Sequence, residues 1–280
     1  MFPSNLMVPQ VGQRGSKLSP RLWSRLIEEG LSADGSAPGD LLVEDFVSVQ
    51  GYSNADGPVG QFAFDKDTGA ACVQEDGTRS AVKLSSGTSD NGAGTLAACG
   101  NAGSLGVISD TAGADKLTVF EARIKLASVA DGNGSVFVGL ADTDTGGTNR
   151  PLKDQTGHKL ANGAGDHAIG FVVLEDDNDS LKFQYRNGAG DIVTVLTYAT
   201  PLVADQYYNL GFVYDPSAPA SEKIKVYVDN VEQAAKVSAS DIAASTFPDG
   251  KNMTAVASIK SSAASAEACY IDLLAFYQAG

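Results

Sequence analysis

Short stretches in which apolar and polar residues alternate one by one set the tightest limit on how this chain folds. Between residues 117 and 126, Phe120, Ala122, Ile124 and Leu126 take every second place, with Glu121, Arg123 and Lys125 between them. Successive side chains of a strand point to opposite faces, so this pattern predicts a strand with one buried face and one charged face. The same period returns in Leu181, Phe183 and Tyr185, in Tyr208, Leu210, Phe212 and Tyr214, and in Ile224, Val226 and Val228. Residues 136–141 and 168–174 are continuous apolar runs, as expected of central strands covered on both faces. Shorter runs at 41–49, 61–64 and 81–84 and a closing one at 271–277 complete the set. Asn187-Gly188-Ala189-Gly190-Asp191 returns the chain into 192–198 as a hairpin, and Asp229-Asn230 reads as another tight turn. Residues 240–245 read as a helical turn. Glycine, 31 of 280 residues or about 11% against the usual ~7%, suits many short strands better than long helices. Ten or more short strands at regular spacing predict an all-β, antiparallel β-sandwich.

The first 39 residues are of another kind. Through Ile27 they hold Arg14, Lys17, Arg21 and Arg25 and no acid, a charge of +4. Glu28 and Glu29 follow, so the chain from residue 30 holds 16 of the 20 bases and 32 of the 34 acids, a net of −16. Pro3, Pro9, Gly12, Gly15 and Pro20 preclude regular structure over the first eighteen residues. Ser19 then stands where an N-cap belongs, Pro20 at the first helical position and Gly30 at a left-handed C-cap, which predicts a short helix over about 19–29. Leu18, Leu22, Trp23, Leu26 and Ile27 share one face of it. Ten or so residues make no stable helix alone in water, so that face must dock. The small-residue run 31–40 is a linker. The expected organisation is an arm over 1–39 and a sandwich over 40–280.

A net charge of −14 argues against a nucleic-acid partner, whose affinity rests on clustered Lys and Arg. No apolar stretch approaches the ~20 residues of a membrane span. Prolines interrupt the amino terminus where an export signal needs an unbroken apolar run. Cys72, Cys99 and Cys269, odd in number and far apart, suggest neither a disulfide framework nor a zinc site. Synthesis in a reducing cytoplasm is the expectation.

The order of segments resembles the concanavalin A-like, laminin-G-like jelly roll in the form found in virion proteins of tailed bacteriophages. The resemblance runs from about Asp40 to the end, and FEARIKL, VFVGLAD, AIGF and KIKVYVDN, in that order, carry it. It implies a jelly-roll sandwich, but this superfold includes lectins, glycoside hydrolases and structural virion proteins. Glycosidases of the superfold resemble one another in a strand reading Glu-x-Asp-x-x-Glu or Glu-x-Asp-x-Glu, whose alternation puts two carboxylates on one face around the scissile bond. Here the comparable strands offer Glu121 alone and Asp272 alone. His158 and His167 are the two histidines, His158 in a loop and His167 opening a strand, and no Gly-x-Ser-x-Gly or His-Glu-x-x-His occurs. No enzyme, no catalytic residue and no cofactor is expected.

Asp142, Asp144 and the run Glu175-Asp176-Asp177-Asn178-Asp179 are the candidates for calcium. A calcium loop from Asp142 would need a carboxylate where Lys153 stands, and the acidic run reads as a solvated hairpin tip, so no metal site is expected. Gly92-Ala93-Gly94-Thr95-Leu96-Ala97 mimics a dinucleotide fingerprint and is expected to be a loop. Carbohydrate is a candidate ligand through Tyr52, Tyr198 or Tyr207; against this, tyrosines in alternating strands commonly pack with one wet end.

The arm carries the chain's single tryptophan. Residues 1–17 extended reach roughly 55 Å, and a body of this size is about 45 Å across, so the arm can reach a neighbouring molecule. The expectation is therefore a non-enzymatic capsid decoration or cement protein on the virion exterior, stabilising the head lattice. Its partners would be the major capsid protein and neighbouring copies of itself. The expected contact residues are Arg14, Lys17, Leu18, Arg21, Leu22, Trp23, Arg25, Leu26 and Ile27. Two other readings stand beside it: a carbohydrate-binding module of a phage fibre or head surface, and, for the helix, an intramolecular cap on its own sandwich.

Overall fold

The computed structural model describes residues 19, 22–23, 39–44, 57–59, 62–74, 81–89, 91–98, 104–132, 134–142, 151–152, 159–160, 166–262 and 267–280. Among these, two antiparallel sheets account for nearly all regular structure. The first sheet runs in the order β15 (Val231–Val237), β14 (Ile224–Val228), β13 (Tyr207–Tyr214), β8 (Thr118–Leu126), β17 (Ala268–Ala279), β5 (Val82–Ser85) and β4 (Ala71–Gln74), with β1 (Gly39–Glu44) also on β17. The second runs β12 (Val193–Thr197), β11 (Asp177–Asn187), β10 (His167–Leu174), β9 (Gly134–Ala141), β16 (Lys251–Ser261), β6 (Ala93–Ala98), β3 (Phe62–Lys66) and β2 (Gly57–Val59), with β7 (Gly106–Ile108) on β16. The chain crosses between sheets after β1, β3, β5, β7, β8, β12, β15 and β16, as a jelly roll requires.

The alternating residues do what their period predicts. Phe120, Ala122, Ile124 and Leu126 from β8 enter the core with Leu210, Phe212 and Tyr214 from β13 and Ile224, Val226 and Val228 from β14. Facing them from the second sheet are Val138, Leu140, Ile169, Phe171, Phe183 and Tyr185. Phe183 meets Phe212 across the two sheets at 5.4 Å between ring centroids, and Phe120 stacks on Phe212 at 5.4 Å. Each such ring removed from water contributes roughly 1.5–3 kcal/mol, so the inter-sheet contact is the main source of stability. The apolar runs β9 and β10 are buried along nearly their whole length, as central strands.

The turns follow their chemistry. Asp229 and Asn230 both take positive φ, 49° and 64°, the geometry of a two-residue hairpin turn. The Asp229 carboxylate accepts from the Asn209 backbone N–H at 2.9 Å and fixes that turn. The helical turn forms as α1 (Ala239–Ile242), with Ser238 as N-cap in a capping box with Asp241 and Ile242 buried. One expectation is overturned: residues 93–98 are strand β6, not a loop. Leu96 enters the core from this strand, while at Gly94 there is no room for a side chain: a Cβ would lie 3.2 Å from the Ser85 carbonyl oxygen and 3.3 Å from the Phe64 ring. The glycine here is a packing requirement, which period counting does not register.

Candidate functional site

The outward face of the first sheet carries three successive rows of side chains, and each does something different. The first row is capped. Leu22 and Trp23, in a helical segment, are 3% exposed and pack on Val119, Val213, Tyr227, Leu273, Ala275 and Tyr277. Gly211 leaves the slot that Leu22 fills: a Cβ there would lie 2.4 Å from Leu22 Cδ2 and 2.9 Å from the Phe120 carbonyl oxygen. Glu121 points into the same place and is fully buried. It accepts from the Ser19 backbone N–H at 3.1 Å, from the Ser19 hydroxyl and from the Trp23 indole Nε1–H. Burial pushes its carboxyl above the usual range, and the bonds from Ser19 and Trp23 pull the other way with less effect.

Glu121 therefore departs from the expected solvent-facing charge of its strand. The cap also corrects the expectation for two of the nine contact residues: Leu22 and Trp23 are buried against the same chain, so the intramolecular cap is what they form. The physical reason is proximity in space. The sheet offers an apolar patch with a buried acceptor, and the arm reaches it without a second molecule. Arg14, Lys17, Leu18, Arg21, Arg25, Leu26 and Ile27 lie outside the described residues, as do His158, Tyr52, Asp144 and Cys99.

In the second row Arg123 pairs with Asp272, which is 3% exposed. Asp272 is the extra residue of a bulge in β17 between Ile271 and Leu273, and that bulge turns its carboxylate toward the β8 arginine. The third row is Tyr207, Lys125, Tyr270 and Lys83, aligned directly opposite one another across β13, β8, β17 and β5. Lys125 Nζ lies 4.1 Å from the Tyr270 ring centroid and 5.4 Å from that of Tyr207. Arg123 covers the Tyr207 ring at 4.6 Å, and Lys83 Nζ is 6.0 Å from the Tyr270 centroid. All five side chains are half-buried.

The outward face of the second sheet is closed by its own chain. Leu152 and Leu160, joined by a bridge, pack on Ala97, Phe137, Ala141, Val172 and Val256. Arg186, 8% exposed, holds them there by donating to the Leu160 carbonyl at 2.8 Å. His167 opens β10, and its Nδ1 accepts from the Gly188 N–H at 3.1 Å; burial, the larger cause, lowers its pKa. The acidic run 175–179 is a hairpin tip as expected, but a tight one: Leu174 pairs with Asp177, and Glu175 is 8% exposed. Tyr198 packs on the core and Tyr207 belongs to the third row. Burial pushes the thiols of Cys72 and Cys269 up to about 12.

Solved structures resemble this arrangement over nearly its whole length. A crystal structure of a protein of unknown function from Shewanella oneidensis MR-1 aligns at a TM-score of 0.54 and 14% identity, over 95% of this chain and 96% of that one. The Emp47p carbohydrate recognition domain aligns at 0.53 and 12% identity, over 88% and 100%. Peanut lectin, crystallised with a nine-residue peptide, aligns at 0.51 and 15% identity, over 85% and 96%. The fold is a concanavalin A-like jelly-roll sandwich. No protein-family model and no curated protein matches the chain. Likeness at this identity concerns the fold, so what the sandwich does here rests on its own side chains. Sequence reasoning missed the third row because its members come from four strands spread over residues 83 to 270. The signal was present in part: Lys125 and Tyr207 both stand at outward positions of alternating strands.

Proposed function

We propose that this chain is a non-enzymatic carbohydrate-binding module. The observation that supports this reading is the division of labour on the first sheet's outward face. Among the described residues its acids are engaged, Glu121 beneath the cap, Asp272 on Arg123 and Glu232 on Lys236, while Tyr207 and Tyr270 stay at the surface with cationic partners. A glycosidase needs a carboxyl pair with access to the scissile bond; a binding face needs aromatic surface and fixed polar groups. The likeness to Emp47p's carbohydrate recognition domain and to peanut lectin points the same way. The full chain, labelled and applied to a glycan array, is expected to retain at least one glycan class and to lose it on Tyr207→Ala. An array with no retained glycan refutes the reading.

A second reading places the module on a virion exterior as a capsid decoration or cement protein. The observation favouring it is the +4 leader ahead of a −16 body, together with the resemblance carried by FEARIKL through KIKVYVDN. In this reading residues 1–18, rather than Leu22 and Trp23, contact the major capsid protein or a neighbouring copy. Deleting residues 2–18 keeps Ser19, Leu22 and Trp23 to cap the sheet and is expected to abolish co-sedimentation with heads. Undiminished co-sedimentation rejects the arm as anchor.

A further inference from the structure

The cap on the first sheet is joined to the body by more chain than its place requires. Trp23 bonds to Glu121 of β8; Glu121 is level with Ala275 of β17, and Ala275 with Val43 of β1. Strand β1 begins at Gly39, four residues before Val43. Two strand spacings across and four residues along put the seat about 17 Å from Gly39 within the sheet. Residues 24–38, fifteen in all, bridge that gap, and a chain of that length reaches up to roughly 50 Å. The surplus lets the segment reach the same seat on a second copy whose first sheet faces it across a two-fold axis.

The seat does not distinguish its own segment from that of another copy. Glu121, Gly211 and the apolar patch around them come from β8, β13, β14 and β17 of the body. What they recognise is local to the segment. The Glu121 carboxylate takes the indole N–H and the Ser19 N–H and hydroxyl, and the Gly211 slot takes a leucine. A segment exchanged between copies keeps every one of these contacts, so exchange costs only the freedom lost in bringing two chains together. Charge favours it as well: the leader through Ile27 is +4, and the chain from residue 30 is −16 in every copy. A second copy is the fitting occupant because it carries the sequence already matched to the seat. A linker of this length gives its own segment an effective concentration on the order of 1 mM. Exchange therefore outcompetes the intramolecular cap where copies stand side by side at higher local concentration.

We propose that the Glu121–Gly211 seat receives the Ser19–Trp23 segment of a second copy, so that neighbouring copies exchange arms reciprocally and each caps the other's sheet. This goes beyond the carbohydrate-binding and virion readings and depends on neither. The test mixes two full-length variants, neither of which can cap itself. Gly211→Val keeps the segment and closes its slot. Leu22→Ser/Trp23→Ala keeps the seat, lacks the segment and holds no tryptophan, so all indole emission comes from the first variant. Circular dichroism and cooperative melts establish that both are folded. Titrating the tryptophan-free chain into the Gly211→Val chain should shift the emission to the blue and give a dimer of one chain of each kind in sedimentation velocity. The titration should be half-complete below ~1 mM, since the same segment is held in its own chain at that effective concentration. Adding Glu121→Ala to the tryptophan-free chain should weaken the complex at least ~10-fold, because the indole and Ser19 N–H groups lose their acceptor. If Gly211→Val fails to melt cooperatively, a synthetic peptide of residues 14–30 replaces it as donor, with the same blue shift expected. Emission and mass unchanged up to ~1 mM overturn the proposal, and a complex indifferent to Glu121→Ala overturns the seat as its location.

Discussion

Replacing Glu121 by alanine tests whether the cap on the first sheet is held as described. Glu121 receives three donors from the arm: the Ser19 N–H, the Ser19 hydroxyl and the Trp23 indole N–H. The hydroxyl can turn elsewhere, but the other two are fixed by the backbone and by the packed ring. A buried donor without an acceptor costs about 1–3 kcal/mol. Two of them near the middle of that range give ~4 kcal/mol, enough for the segment to leave the sheet and take water instead. For a domain of this size 1 kcal/mol moves Tm by about 2–4 °C, so a fall of ~8–16 °C is expected. Trp23 is the chain's single tryptophan, so its fluorescence reports the cap directly. Glu121→Ala should shift the emission to the red and raise acrylamide quenching while far-UV circular dichroism keeps its β-sheet form. Alanine also removes the desolvation cost of a buried carboxylate, so Glu121→Gln serves as the control: it keeps an acceptor oxygen, carries no charge and should leave the emission blue. Unchanged emission in Glu121→Ala with Tm within about 2 °C of wild type would refute the reasoning.

Three further outcomes follow from the same face and its hairpin. Burial raises the Glu121 pKa, so the folded chain holds that proton to higher pH than the unfolded chain does; its contribution is complete below the ordinary carboxylate range and is lost as pH rises through the raised value. Urea denaturation of wild type against Glu121→Gln should therefore show the wild type losing ground as pH rises above the ordinary carboxylate range, and a constant difference contradicts the burial account. Gly211→Val should cost about 1–3 kcal/mol in the same assay and redden Trp23, because the new side chain takes the place of Leu22; an unaltered midpoint and spectrum means the slot is not tight. Asn230→Gly should stabilise by up to ~1 kcal/mol in thermal melts, since Asn230 has a positive φ of 64° and a buried side-chain oxygen without a partner; destabilisation would show that its side chain holds the turn.

The sequence alone determined the fold class. Strand period, continuous apolar runs and turn residues are local signals, and each reports which face of its own segment meets the core. Phe120, Phe183 and Phe212 declared themselves inward by alternation, and Asp229-Asn230 declared its turn by residue type. That Leu22 and Trp23 need an apolar surface to dock on was legible too, because a short amphipathic segment cannot stand alone. What the alternation of β8 could not convey is that its charged face is shared among three environments. Glu121 is buried because Gly211, its partner across the strand pair, opens a slot for Leu22. Arg123 is paired because a bulge in β17 turns Asp272 toward it. Lys125 stands between two tyrosines whose sequence positions lie 82 and 145 residues away. Cross-strand register decides such neighbours, and register is a property of the assembled sheet, set by pairings between segments that carry no mark of one another.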